Sequence, residues 1–206
     1  MSSPALFPLF LKLTGKRCVV VGGTHECEQK IEGLLRAGAL IEVIAEEVTD
    51  GIRDLFHRRE ILWTRRGFRA DDLEQAALVV AQHLSQEINE TVFRAASERG
   101  VMCNVVDQPA LCHFYYPAVV RRGDLQIAIS TNGLSPALAS SIRAELEERF
   151  GPLYSEWVQR LGRIRARVFR TRPRSAARTA LLQRFATRSR FDRFETRRAR
   201  ALRGEG

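Results

Sequence analysis

The chain has 206 residues, 45% of them hydrophobic, enough for one domain of ordinary size plus an appendage. Its net charge of +9 belongs to its end: residues 160–206 carry 16 Arg against three acids, while in 1–159 the 17 basic residues are outnumbered by 21 acids. No apolar run approaches the ~18 residues of a spanning helix. The opening MSSPALFPLFLKLTGK has neither the basic n-region nor the cleavage site of a secretory signal. A cytoplasmic protein with no membrane partner is the expectation.

In chain order, RCVVVGG (17–23) reads as a buried parallel strand that runs into a glycine turn. CEQKIEGLLRAGA follows, with Ile31, Leu34 and Leu35 at helical spacing and Gly38 as a stop signal, and LIEVIA (40–45) is a second strand. This unit of about 30 residues is the context required by the dinucleotide fingerprint G-x-G-x-x-G/A. Counted from Gly22, however, the second and third marked positions hold Thr24 and Cys27. WTRRGF (63–68) reads as a short third strand, ALVVAQ (77–82) as a fourth, INETVFRAASERG (88–100) as a helix and VMCNVVD (101–107) as a fifth strand. Alternating strands and helices imply an α/β fold with a Rossmann-like parallel sheet, whose ligands bind beyond the carboxyl ends of the strands.

Past Pro109 the rhythm changes. DLQIAIST (124–131) is a strand, SPALASSIRAELEERF (135–150) is a helix with Ser135 as N-cap and Pro136 at its first position, and Gly151-Pro152 breaks it. An Arg-rich helical region runs from about Leu153, interrupted at Pro173, and its end (RRARALRGEG) is expected to be disordered. The four cysteines, Cys18, Cys27, Cys103 and Cys112, form no C-x-x-C pair, so reduced and mostly buried thiols are expected and no metal site.

The segments VGGTHECEQK, AGA (37–39), AQHL (81–84), NVVDQP, FYYPA and STNGLSPALA resemble, in order and spacing, the precorrin-2 dehydrogenase/sirohydrochlorin ferrochelatase family, the front half of siroheme synthase. The similarity covers about residues 5–168 and is most specific from Asn104 to Ala139. It implies a Rossmann-like NAD-binding-type domain (1–113), a small strand-helix dimerisation segment (114–150) and a helical domain (151–206), in a homodimer. It also implies NAD-dependent oxidation of precorrin-2 to sirohydrochlorin, with Fe²⁺ insertion giving siroheme and the metal as substrate.

On this resemblance Asp107 is the general acid/base. It ends the fifth strand at the crevice face, where one carboxylate could take the proton lost on oxidation or those displaced by a metal; an Asp before x-Pro also commonly starts a turn. Ser130, Thr131, Asn132, Gly133 and Ser135 form the substrate-binding loop at a helix N-terminus, suited to the carboxyl groups of a tetrapyrrole. Ser135 also serves as an ordinary N-cap. Arg121 and Arg122 face the substrate or a solvated turn, and His113 is a metal-delivery residue or a packed side chain.

The cofactor-binding candidates are Gly22, Gly23, Thr24, His25, Glu26, Glu46, Glu47 and His83. Thr24 puts a β-branched side chain where a phosphate should approach, and Glu26 would repel it. Glu46 and Glu47 could hold a ribose hydroxyl or begin an exposed helix. His83-Leu84 replaces the family's Thr-Asp pair, and Asn132 replaces a glycine. These departures favour, as alternatives, a chelatase-only variant that has lost NAD or a non-catalytic tetrapyrrole-binding module. For the tail, a solvated helical face ranks first, steering of a polyanionic tetrapyrrole second and nucleic-acid binding third, so nucleic acid is not an expected partner.

Overall fold

The computed structural model describes residues 5–203. The chain divides between Tyr116 and Pro117 into two compact units, and the expected segments 114–150 and 151–206 fall almost wholly in the second.

The first unit is a five-stranded parallel sheet of β1 (Arg17–Val21), β2 (Leu40–Ile44), β3 (Leu62–Thr64), β4 (Leu78–Ala81) and β5 (Met102–Val105) in the order β3-β2-β1-β4-β5. Three helices cover it: α1 (His25–Arg36), α2 (Asp50–His57) and α3 (Gln86–Glu98). The run Cys18-Val19-Val20-Val21 is apolar throughout because both faces of β1 are buried, as a parallel sheet between helices requires. Alternate side chains enter different cores. Cys18 and Val20 pack with Ile31, Leu34, Ile52 and Leu55 of α1 and α2, whereas Val19 and Val21 pack with Val92, Ala95 and Ala96 of α3. Full burial of a side chain such as Ile31 contributes about 2 kcal/mol.

The sequence reading has no helix at 50–57, yet α2 forms: the Thr49 hydroxyl caps the N–H of Ile52, and Ile52 and Leu55 supply the buried face. β3 is confined to 62–64 instead of the expected 63–68, because the next residues make a turn pinned by Arg66 and Asp72. Arg66 holds both Asp72 carboxylate oxygens at 2.8 and 2.6 Å, and Arg69 N–H donates to Oδ2 at 2.8 Å. Burial pushes the Asp72 carboxyl up, but these donors outweigh it and hold it below the usual carboxylate range. β5 stops at Val105, two residues before the expected end, so Val106 and Asp107 belong to the turn.

In the second unit β6 (Ala118–Arg122) and β7 (Leu125–Ile129) form an antiparallel hairpin around Gly123-Asp124, with Gly123 at φ 58°. β6 is a correction: the paired arginines end a strand. Arg122 Nε donates to the Phe150 carbonyl (2.7 Å) and Nη2 to the Glu147 carbonyl (3.0 Å), closing the C-terminus of α4 (Pro136–Arg149). Arg121 is exposed.

The helices α5 (Tyr154–Thr171), α6 (Ala176–Phe185) and α7 (Arg188–Leu202) follow. Buried Trp157 and Phe191 join α5 to α7, with Tyr154 stacked on Phe191 at 4.1 Å and Phe194 5.2 Å from Trp157 between ring centroids. The expectation of disorder from Arg197 onward is overturned as far as Leu202, which ends α7; residues 204–206 lie outside the described residues.

Candidate functional site

Four loops leave the carboxyl ends of the strands at one edge of the sheet. The strand order reverses between β1 and β4, which is where a doubly wound sheet opens its crevice. The turn after β1 is held from both sides. Gly22 has φ 119°, and a Cβ there would lie 2.0 Å from the Gln82 carbonyl oxygen; one on Gly23 would lie 2.0 Å from the Glu47 carbonyl oxygen. Both glycines are therefore demanded by the loops after β4 and β2, independently of any ligand.

Thr24 is the N-cap of α1. Its hydroxyl accepts from Cys27 N–H at 3.4 Å and donates to the side-chain oxygen of Gln82. The side chain that breaks the fingerprint is thus bound to β4's loop. Among the described residues, the N–H groups of Gly23, Thr24, His25 and Glu26 have no acceptor in the chain, so a cluster of backbone donors lies open at a helix N-terminus, the arrangement that receives a pyrophosphate. The residues present fit a dinucleotide.

The first-turn acids divide. Glu28 accepts from the Thr49 hydroxyl at 2.6 Å and lies over Gly51, tying α1 to α2, while Glu26 is exposed. His25 is 83% exposed, with Nδ1 3.5 Å from Glu28. Cys27 is fully buried beside Gln82, and burial raises its thiol pKa.

Glu46 and Glu47 are exposed in the loop after β2, and Arg65 Nε donates to the Glu46 carbonyl at 3.2 Å. They do not begin a helix, since Thr49 caps α2. A cleft of about 460 Å³ opens beside them, lined by Glu47, Arg53, Phe56, His57, Trp63 and Arg65.

After β4, the main chain of His83 is clasped by buried Asn89, whose Oδ1 accepts from His83 N–H (3.0 Å) and whose Nδ2 donates to His83 O (2.9 Å). The ring Nδ1 accepts from Ser85 N–H at 3.0 Å, so a neutral ring carries its proton on Nε2. Next to it, Leu84 is 98% exposed. Gln82, Leu84 and Asn89 are absent from the sequence-derived set; a polar residue directly after a buried strand was the available signal for Gln82.

Asp107 follows β5 with φ 60°, exposed, at the same sheet edge. Asp and Asn are the non-glycine residues that best tolerate this region. His113 is placed away from any carboxyl-end role. Its N–H donates to Cys103 O (2.8 Å), its Nδ1 accepts from Cys103 N–H (3.1 Å), its Nε2 lies 3.3 Å from the Ser97 hydroxyl, and its ring packs on Phe93 with centroids 4.9 Å apart. It is an exposed side chain held along β5 by these contacts.

In the second unit the 130–135 loop is largely self-supporting. Ser130 Oγ accepts from Asn132 N–H and Thr131 Oγ1 from Ser135 N–H, both at 3.1 Å, and Ser135 Oγ caps Leu138 N–H at 3.2 Å. Asn132 keeps the left-handed turn (φ 55°) expected of the glycine it replaces, next to Gly133 at φ 78°. Gly133 and Ala137 N–H groups remain without acceptors among the described residues.

A doubly wound parallel sheet with an open donor cluster after β1 defines the class of dinucleotide-binding Rossmann proteins. Accordingly, a family model described as "Putative NAD(P)-binding" matches residues 9–118, and one described as "Sirohaem biosynthesis protein central" matches 122–149. The chain belongs to the NAD(P)-binding family of sirohaem biosynthesis proteins that forms the N-terminal half of siroheme synthase.

Among similar proteins are siroheme synthase 2 of Yersinia pestis (strain Pestoides F), 35% identical over 78% of this chain and 34% of that protein, and siroheme synthase of Pseudomonas fluorescens (strain SBW25), 38% identical over 78% and 35%. The solved structure of SirC, precorrin-2 dehydrogenase, superposes with TM-score 0.76 at 25% identity, covering 90% of this chain and 92% of that one. The chain spans about a third of the length of the curated relatives it matches.

Proposed function

We propose that the chain oxidises precorrin-2 to sirohydrochlorin with NAD⁺ as acceptor and then inserts Fe²⁺ into the product, Asp107 acting as general acid/base in both steps. One observation carries this reading. The free N–H groups of Gly23–Glu26 and the exposed Asp107 carboxylate leave the same edge of one sheet, from strands separated only by β4 and so about 10 Å apart. When bound, the dinucleotide supplies the hydride acceptor.

The residues of the chain do the rest. The α1 N-terminus would hold the pyrophosphate. Glu46 or Glu47 would hold a ribose hydroxyl, the cleft beside Trp63 would take the adenosine end, and the clasped His83 loop would border the nicotinamide side. Exposed Asp107 accepts the proton released when carbon loses hydride and passes it to solvent; as the metal enters it takes the two displaced pyrrole protons one after the other, each again passed to solvent. Within the second unit taken by itself, the Gly133 and Ala137 N–H groups at the α4 N-terminus suit carboxylates, and the hairpin with α4 is the segment proposed to form a homodimer.

A second reading, metal insertion alone, is favoured by the exposed Glu26 carboxylate beside the pyrophosphate donors. The deciding experiment is anaerobic incubation with precorrin-2 and NAD⁺, following sirohydrochlorin and NADH together. Equal appearance of both supports the full reading. Absence of both, with Fe²⁺ still inserted into supplied sirohydrochlorin, leaves insertion alone, and absence of both activities refutes the proposal.

A further inference from the structure

The arginines of the second unit are not scattered. On α5, Arg160, Arg163, Arg167 and Arg170 recur at i, i+3, i+7 and i+10, all exposed, on the flank of the helix that lies beside the Trp157, Leu161, Ile164 and Val168 stripe. On α7, Arg190, Arg193, Arg197 and Arg200 repeat the same spacing, also all exposed. Each row is about 15 Å long at the helical rise. The rows belong to helices locked together by Trp157, Phe191 and Phe194, and Arg160 lies over the Phe194 ring at 5.7 Å, which brings the first row to the α5–α7 seam.

Among the described residues, carboxylates do not neutralise these rows: between Arg160 and Arg200 only Arg188 and Arg198 pair with acids, Asp192 and Glu156 respectively. The choice of cation is equally one-sided: the only lysines are Lys12, Lys16 and Lys30, so every basic group here is a guanidinium, whose planar fork binds phosphate in bidentate fashion. A solvated helix face needs neither acid-free rows nor arginine alone.

We propose that the α5 and α7 rows bind the phosphate backbone of a nucleic acid, without reading bases. Two rows of four charges, each about 15 Å long, match an extended chain of phosphates better than the carboxylates of a single macrocycle. The large apolar side chains between the row positions are buried or half-buried except Phe169, which is 42% exposed and carries the Arg165 and Arg178 guanidinium groups 4.4 Å from its ring centre. Binding of this kind releases counterions, so affinity falls with salt in proportion to the phosphates neutralised.

The test uses the full chain and fluorescein-labelled 25-nucleotide single-stranded RNA and 25-base-pair DNA, with anisotropy read at 50, 100 and 200 mM KCl. If about four phosphates are neutralised, affinity drops about 100-fold across that range. The triple variant Arg163→Gln/Arg167→Gln/Arg170→Gln should flatten the slope by about 2 to 3, while Arg36→Gln/Arg58→Gln/Arg94→Gln, removing the same charge from the first unit, leaves it nearly unchanged. Circular dichroism confirms that both variants fold.

Equal losses from the two triple variants would overturn the proposal. So would binding of phosphatidylserine vesicles, or of an octacarboxylate porphyrin, through these rows while neither oligonucleotide binds.

Discussion

Two substitutions of the same kind, one glycine to alanine each, should move stability in opposite directions. At Gly22 the backbone has φ 119°, where a side chain costs about 1–3 kcal/mol of strain. The new methyl would also sit 2.0 Å from the Gln82 carbonyl oxygen and 3.2 Å from Cys27 Sγ. Ordinary contact is about 3.5 Å, so the loop after β4 must retreat by more than about 1 Å, at a further cost of about 1–3 kcal/mol. Gly22→Ala should lose about 3–5 kcal/mol, a large share of the stability of a typical domain. Gly33, inside α1, has ordinary helical geometry and nothing within 4 Å of a would-be Cβ. Gly33→Ala should therefore gain about 0.5–1 kcal/mol through helix propensity. Urea unfolding followed by circular dichroism reads both. A Gly22→Ala midpoint equal to that of the parent would refute the argument, because it would mean that Gln82 does not stand against this turn.

Asp107→Asn keeps a residue suited to φ 60°, so stability should change by less than about 0.5 kcal/mol while sirohydrochlorin formation falls about 10²–10⁴-fold; unchanged turnover would remove Asp107 from the chemistry. Asp72 is held below its ordinary value, so its contribution is complete above the unfolded value near 3.9 and is lost as pH falls through the folded value. Urea midpoints from pH 2 to 7 should therefore show Asp72→Asn less stable than the parent at pH 7, with the gap narrowing below about pH 4. Burial pushes the thiols of Cys18 and Cys103 up to about 11 and 12, so neither should react with iodoacetamide at pH 8 in the native protein. Mass spectrometry should find the partly exposed Cys112 alkylated first.

The parallel sheet was legible because burial on both faces leaves unbroken apolar runs such as Val19–Val21 and Val79–Ala81, and because the glycine turn and helix period follow at once. β6 was hidden by its charge. Its last residues are Arg121 and Arg122, and the strand is recognisable only by pairing AVV with LQIAI across Gly123-Asp124, a two-residue hairpin signal in the sequence. α2 is short and contains Gly51, so its period spans barely two turns, and the Thr49 cap was its best mark.

At the candidate site, the residue types of Gly22, Gly23 and Asp107 could be read directly, since backbone conformation selects Gly22 and Asp107 and the close approach of the Glu47 carbonyl selects Gly23. What Thr24 does could not be read, because its meaning depends on Gln82, 58 positions away. His113 shows the same limit: imidazole chemistry alone marks it as a candidate, whereas its partners Cys103, Ser97 and Phe93 come together only in the fold.

His113 also settles how the sheet ends. By exchanging two bonds with Cys103, one from its main chain and one from its ring, it stands in for a neighbouring strand along β5, and Cys112 adds a bridge to Asn104. The opposite border, β3, is three residues long. An open sheet whose borders are sealed or too short to template another strand resists edge-to-edge association. His113→Ala should therefore show its effect less in catalysis than in the concentration at which the protein aggregates.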